Sequence, residues 1–132
     1  MKNMINDIKD AAILYATCWN QIIFADWFEN LSDDCTYSSQ YVFESLNGRE
    51  KIIEYLSGKI DTIKKSGHRV KAKLATLKHG ASLNPPPGTP CVAMYQGDSE
   101  DISAIVFFEV KNGKIFKYDL CMPELYTVEV SS

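Results

Sequence analysis

Residues 27–39, WFENLSDDCTYSS, contain the change from helix to strand in this chain. Ile23, Trp27 and Leu31 are each four residues apart, which is the spacing of the apolar face of a helix. This period stops at Ser32. The following residues, 35–46, are rich in Tyr, Thr, Val and Phe and indicate two strands, with the polar segment 38–40 as a turn or bulge between them. The stretch therefore predicts a short helix followed directly by strands.

Two further helices are predicted, one on each side of this stretch. The first should begin near Asn3, with an apolar stripe of Ile5, Ile8, Ala12, Tyr15 and Trp19. Asn47 and Glu50 have the spacing of a capping box, so we expect Asn47 to be the N-cap of the third helix. The stripe of that helix is Ile52, Leu56, Ile60 and Ile63. Gly67 follows two lysines and should end the helix.

The rest of the chain has the pattern of strands. The predicted strands are Val70–Leu77, Cys91–Gln96, Ile102–Val110 and Ile115–Met122. Residues 111–114, KNGK, predict a hairpin turn between the last two strands. Consecutive prolines in residues 80–88 exclude a strand interior there and predict a rigid connection or lid. Helices followed by antiparallel strands predict one α+β domain over residues 1–132, with the helices on one sheet face.

Composition and charge exclude several classes of partner. A chain of 132 residues, 45% of them hydrophobic, suits one compact domain. The 14 basic and 17 acidic residues give a net charge of -3 without a basic cluster, so we expect no nucleic acid partner. No apolar run approaches the roughly 20 residues that span a bilayer, so we expect no membrane partner and a cytoplasmic location.

The cysteines give no sign of a metal or redox site. No C-x-x-C spacing relates Cys18, Cys35, Cys91 and Cys121. Free cysteines are among the most buried residue types, so we expect these four to be packed as small apolar side chains in a reducing compartment. The sequence therefore implies no metal and no cofactor.

The strand predicted at 102–110 is apolar on both faces. One face carries Ala104, Val106, Phe108 and Val110. The other face carries Ile105 and Phe107. A sheet covered by helices on one side should be polar on its other side unless another surface buries it. We therefore expect a homodimer that forms through the outer sheet face at Ile105 and Phe107.

The order of these patterns resembles the nuclear transport factor 2-like superfamily. The residues that carry the resemblance are Tyr15, Trp19, the segments 31–36 and 46–48, and the turn 112–115. The superfamily includes ketosteroid isomerases, SnoaL-like cyclases, scytalone dehydratase and limonene epoxide hydrolase. It implies a cystatin-like α+β cone or barrel, in which a strongly curved, mainly antiparallel sheet wraps around the helices. A hydrophobic pocket is expected at its open end.

The ketosteroid isomerases allow a test residue by residue. A register without gaps places their catalytic tyrosine on Tyr15. Their general-base aspartate falls on Ser39, and a hydroxyl cannot remove a carbon-bound proton without a neighbouring base. Their second acid falls on or near Val106. The resemblance therefore disfavours isomerase chemistry by that route.

The resemblance also implies a pocket that is mainly aromatic with hydroxyl tips. The expected lining residues are Tyr15, Trp19, Trp27, Cys35, Tyr37, Ser39, Val106, Phe108 and Tyr118. Such walls suit a small hydrophobic or aromatic molecule held by a few oriented hydrogen bonds. Tyr15 and Tyr37 are candidates to donate to a ligand carbonyl. Asp119 is the third catalytic candidate, although the family register turns Tyr118 and Leu120 inward and Asp119 outward.

Two functions remain open from the sequence. The first is a SnoaL-like protein that binds a hydrophobic ligand, with isomerase, cyclase or dehydratase chemistry if at least one acid, Asp119 or Glu44, faces the cavity. The alternative is a non-catalytic homodimeric interaction module whose pocket is filled by side chains. An enclosed, unfilled cavity would favour the first function over the second.

Overall fold

The computed structural model describes residues 5–41 and 44–131. The elements in chain order are α1 (Ile8–Gln21), α2 (Ala25–Glu29), β1 (Leu31–Ser39), β2 (Leu46–Asn47), α3 (Arg49–Ser66), β3 (Val70–Gly80), β4 (Pro90–Gln96), β5 (Ala104–Lys111), β6 (Lys114–Cys121) and β7 (Tyr126–Val130). A short 3-10 turn, Pro123–Leu125, precedes β7. The predicted α+β class is confirmed.

The strands form one sheet of seven in the order β2-β1-β6-β5-β4-β3-β7. The β1–β6 pair is parallel, and every other pair is antiparallel. Irregular registers interrupt β1, β3 and the β5–β6 pair, and such bulges increase strand twist and bend a sheet. The predicted curved, mainly antiparallel sheet is confirmed. It is curled without closing into a barrel, because β2 and β7 are its two edges.

Helix α1 packs on β3, β4 and β5, and α3 packs on β1, so both lie on the concave face. Asn20 joins α1 to β3 by two hydrogen bonds. Its Nδ2 donates to the Ala72 carbonyl at 2.8 Å, and its Oδ1 accepts from the Ala72 backbone N–H at 2.9 Å. Ala72 precedes the part of β3 that pairs with β7, so Asn20 satisfies backbone groups at an otherwise open edge.

The start of the first helix differs from the prediction. Asn3 lies outside the described residues, but residues 5–7 are not helical and α1 begins at Ile8. Asp7 is the N-cap, and its side chain accepts a hydrogen bond from the Asp10 backbone N–H at 2.9 Å. Because Asp7 is the cap, the helix begins at the next residue and does not extend back to residues 5 and 6. Ile5 is nevertheless only 1% exposed and belongs to the core.

The second predicted stripe is only partly right. Trp27 is buried, but Ile23 is 62% exposed and Leu31 is the first residue of β1. Ile22 ends α1 in a left-handed backbone conformation, with φ of 56°. Ile23 therefore lies in the non-helical link between α1 and α2, which begins at Ala25, so its spacing from Trp27 does not place both residues on one helix face.

The start of α3 also differs from the prediction. Its N-cap is Gly48, without a side-chain hydrogen bond, whereas Asn47 is the last residue of β2 and pairs with Thr36. The Gly48 N–H donates to the Cys35 carbonyl at 2.8 Å. Pairing with β1 thus fixes Asn47 in extended conformation and moves the cap by one residue. Gly67 ends the helix in the left-handed conformation, as predicted.

The outer sheet face is covered within the single chain. Strand β7 was not predicted, and it pairs with the edge of β3. The ring of Tyr126 contacts that of Phe107, with centroids 5.1 Å apart, and Val128 and Val130 pack on the same cluster. Ile105 is 1% exposed and Phe107 is 6% exposed. These two residues therefore need no second subunit to bury them, and the inference that they form a dimer contact is corrected.

Candidate functional site

Three tyrosines from distant segments meet on the concave side of the sheet. Tyr15 comes from α1, Tyr37 from β1 and Tyr118 from β6. Tyr37 and Tyr118 are direct partners in the parallel pair, with ring centroids 4.7 Å apart, and Tyr15 lies 5.7 Å from Tyr118. Each residue is at most 6% exposed. The parallel β1–β6 pairing is what brings the strand tyrosines together.

These tyrosines line a cavity of about 460 Å³. The predicted residues Trp19 and Ser39 line it too. Its volume lies in the range of small-molecule sites, and side chains do not fill it. The alternative that predicted a filled pocket is therefore not supported by the packing.

Four other predicted lining residues lie in the packed core, namely Trp27, Cys35, Val106 and Phe108. Trp27 is fully buried between the rings of Tyr15 at 4.8 Å, Tyr118 at 5.2 Å and Phe108 at 5.7 Å. Residues on the same face of a strand can lie at different depths, some at the cavity surface and others in the core behind it. These side chains form the solid support behind the tyrosines rather than part of the cavity surface.

Several lining residues were not predicted. They are Tyr41, Tyr55, Leu56, Lys59, Val70, Met94, Gln96, Ser103 and Ala104, whereas Leu120, which the family register turned inward, lines the cavity as expected. Tyr55 and Lys59 are one turn apart on α3, and Tyr55 borders the apolar stripe of that helix. The position of aromatic Tyr55 beside the apolar stripe of α3 was the sequence feature that could have indicated a lining residue. The Tyr41 hydroxyl donates to the Ser103 carbonyl at 3.1 Å and joins the turn after β1 to the segment before β5.

The cavity has a deep side and an exposed side. The floor is formed by Tyr15 and Tyr118, which are 3% and 2% exposed. The mouth is formed by Tyr41, Tyr55 and Lys59, all of which are exposed. The ring of Tyr37 stacks on that of Tyr55 at 5.9 Å and connects the two sides.

Burial keeps the deep hydroxyls protonated. Desolvation raises the pKa of Tyr15, Tyr37 and Tyr118 well above 10, and the neighbouring tyrosines raise it further. Each hydroxyl has one polar neighbour that lowers its pKa: Trp19 for Tyr15, Ser39 for Tyr37 and Trp27 for Tyr118. The indole N–H groups of both tryptophans nevertheless lack a hydrogen bond of regular geometry. The floor therefore presents hydrogen-bond donors.

No carboxylate or imidazole lines this cavity among the described residues. Asp119 faces the other side of the sheet, as the family register predicted, and lines a smaller cavity of about 260 Å³ with Phe107 and Tyr126. Its pKa is raised by desolvation and by Glu109, against the lowering effect of Lys117 and of a hydrogen bond from Ser38. Glu44 is exposed and is not a lining residue. The inward acid required for acid–base chemistry is thus not found in the described lining.

The cysteines are buried and poorly nucleophilic. Desolvation, with a smaller effect of Asp34, raises the pKa of Cys35 to about 12, and desolvation raises the pKa of Cys18 to about 11. Arg49 has a structural role, because its Nε donates to the Phe28 carbonyl at 2.8 Å. Within residues 5–41 and 44–131, no group of three or more His, Cys, Asp or Glu side chains is placed to hold a metal ion.

These pKa shifts predict that the protein is less stable at alkaline pH. In the unfolded chain the thiols and phenols ionise at their ordinary pKa, whereas the folded chain keeps them neutral to higher pH. The stabilisation from these groups is therefore complete below about pH 8, decreases as the pH rises through the unfolded pKa values, and is lost as the pH rises through the folded values. We expect the melting temperature to fall by at least about 5 °C between about pH 8 and pH 10.5. Thermal unfolding followed by circular dichroism measures this.

The ultraviolet absorbance of phenolate provides the control. The buried tyrosines should remain protonated at pH values where the protein is folded and ionise together with unfolding. If all tyrosines of the folded protein ionised at the pKa of an exposed tyrosine, the burial described above would be contradicted.

Solved structures with a similar fold were found, whereas no protein-family model and no curated protein sequence matches this chain. A protein from Kribbella flavida provisionally named a ketosteroid isomerase has a TM-score of 0.56 at 16% identity, and the match covers 91% of this chain and 80% of that one. A nuclear transport factor 2-like protein of unknown function from Cytophaga hutchinsonii has a TM-score of 0.50 at 13% identity, with 96% and 95% covered. This chain has the nuclear transport factor 2-like fold.

The same fold occurs in a protein from Sinorhizobium meliloti provisionally named a polyketide cyclase, with a TM-score of 0.56, 12% identity and 84% and 93% coverage. Identities this low establish the fold and leave the chemistry to the site. In this chain, Ser39 lines the cavity and Val106 is fully buried. None of the helices in the described residues is both long and apolar enough to cross a membrane.

Proposed function

We propose that this protein binds a flat, apolar or aromatic small molecule that carries an acceptor oxygen. The observation that supports this most directly is the convergence of Tyr15, Tyr37 and Tyr118 on one cavity of about 460 Å³. Their rings offer apolar contact area, and their protonated hydroxyls can donate to a carbonyl or ether oxygen. The ligand would lie with its oxygen toward the floor.

The proposal is binding rather than proton-transfer catalysis. Isomerisation, cyclisation and dehydration need a base or acid whose pKa suits neutral pH. The described lining supplies hydroxyls, one amide, one amine and apolar groups, and the deep hydroxyls have pKa values raised away from neutrality. The protonated tyrosines would orient and polarise a bound carbonyl without removing a proton from it.

The same proposal includes a cytoplasmic location, because the four buried cysteines are free thiols and suit a reducing compartment. Homodimerisation remains a prediction from the sequence. If a dimer forms, it must use residues other than Ile105 and Phe107, which the chain itself buries.

The test is direct binding of a matched pair of neutral probes, the planar ketone fluorenone and its parent hydrocarbon fluorene. Quenching of tryptophan fluorescence reports occupancy because Trp19 lines the cavity. Calorimetry gives the stoichiometry. We expect saturable one-to-one binding of fluorenone. The proposal fails if neither fluorenone nor any other neutral aromatic carbonyl compound in a panel binds saturably up to its solubility limit.

Removing single hydroxyls tests the role of the floor. For Tyr15→Phe, Tyr37→Phe and Tyr118→Phe, we expect at least one variant to bind fluorenone about three- to tenfold more weakly, while fluorene binding is unchanged. The reason is that a ketone oxygen loses its donor, whereas a hydrocarbon has none to lose. Tyr95→Phe is the matched control, since Tyr95 is buried in the outer cluster. Equal fluorenone affinities in all four variants would contradict the assigned role of the hydroxyls.

A further inference from the structure

We infer that the ligand of this cavity carries a carboxylate, held at the mouth by Lys59, in addition to its apolar body. The inference rests on the proposed function and specifies its ligand class. Lys59 is the one charged side chain among the described residues that line the cavity. The cavity is therefore not merely apolar, because its outer end has a positive charge.

The aromatic lining leads from this charge to the floor. The Lys59 ammonium lies 5.9 Å from the ring centroid of Tyr55, and the Tyr55 ring stacks on that of Tyr37 at 5.9 Å. The Tyr37 ring contacts that of Tyr118 at 4.7 Å. Exposure falls along this series from 44% at Tyr55 to 6% at Tyr37 and 2% at Tyr118. A planar molecule lying along the rings would have its buried end at the hydroxyls and its outer end near Lys59.

Nothing in the described chain neutralises this lysine. Lys59 takes no part in the ion pairs Lys78–Glu129 and Lys117–Glu109 that occur among the described residues. The described lining contains no carboxylate that would repel an anion. An exposed ion pair is weak in water, but its strength increases where apolar walls exclude solvent on one side. Donors at the floor and a cation at the mouth together select a ligand with oxygens at both ends.

The experiment compares fluorenone bearing a carboxylate with the same molecule bearing a primary carboxamide. The two probes have nearly the same shape and differ in charge. We expect the wild-type protein to bind the carboxylate about fivefold more tightly than the carboxamide at low salt, with the preference decreasing as salt is added. Lys59→Gln should abolish the preference, and Lys59→Glu should reverse it. Lys64→Gln is the matched control, because Lys64 is exposed on the same helix but does not line the cavity.

The outcomes separate this inference from the proposed function. Equal binding of both probes by the wild-type protein, or a preference that survives Lys59→Gln, overturns the inference while cavity binding stands. Loss of the preference in Lys64→Gln as strongly as in Lys59→Gln overturns it as well, since the effect would then belong to the general charge of α3. Binding of neither probe, together with absent binding of neutral fluorenone, overturns both proposals.

Discussion

The Trp27→Ala variant is expected to lose about 3–5 kcal/mol of unfolding free energy. Trp27 is 0% exposed and contacts the rings of Tyr15, Phe108 and Tyr118 within 6 Å. Truncation removes this buried aromatic surface and leaves a void that the curved sheet and α1 cannot close. Equilibrium unfolding in urea measures the loss. Because domains of this size are stabilised by about 5–15 kcal/mol, this loss is a large fraction of the total stability.

Two matched variants interpret the result. Trp27→Phe keeps an aromatic ring and should lose clearly less than the alanine variant. Ile23→Ala changes the exposed member of the same predicted stripe, at 62% exposure, and should alter stability by no more than about 0.5 kcal/mol. A loss below about 1 kcal/mol for Trp27→Ala would mean that Trp27 does not support the aromatic floor.

The Ala104→Phe variant is expected to weaken fluorenone binding by at least about tenfold. Ala104 is the first residue of β5 and its small side chain lines the cavity. A phenyl ring at this position enters the space that the ligand would occupy. Ala104 borders the cavity and also belongs to the buried core, so we expect the new ring to enter the cavity at a stability cost of no more than about 1–3 kcal/mol. Fluorescence quenching and calorimetry measure the affinity.

Thermal unfolding of the same variant is a necessary control. A melting temperature close to that of the wild-type protein shows that binding was lost by occlusion and not by unfolding. Ile13→Phe adds similar bulk at an exposed position on α1 and should leave binding unchanged. Unchanged fluorenone affinity in Ala104→Phe would place the ligand outside this cavity.

Local patterns predicted most of the fold. Asn112 and Gly113 both adopt positive φ, of 54° and 75°, so the sequence NG specifies the hairpin between β5 and β6 directly. Gly67 ends α3 for the same kind of local reason. By contrast, β7 was missed although Tyr126, Val128 and Val130 alternate with polar residues as in a strand, because the run has only five residues and its pairing with the distant β3 is not visible in the local pattern. The N-cap of α3 moved from Asn47 to Gly48 through pairing with β1.

The site was predicted in part for similar reasons. The alternation of β1 and β6 correctly separates Tyr118 on the cavity side from Asp119 on the outer side. Alternation does not give depth along a strand, so Cys35 and Val106 were expected at the cavity and lie in the core. Tyr55 and Lys59 were missed because their contribution depends on where α3 lies over the mouth.

The sequence by itself determined the helical and strand periods, the turns at Gly67 and at Asn112–Gly113, and the alternation of neighbouring strand residues between two faces, because these depend on backbone geometry within a few residues. Only the tertiary structure decided that Tyr15, Tyr37 and Tyr118 share one cavity, that Lys59 lies at its mouth, and that β7 and Tyr126 cover Ile105 and Phe107. These features depend on the parallel pairing of β1 with β6 and on the curl of the sheet, which join residues far apart in the chain.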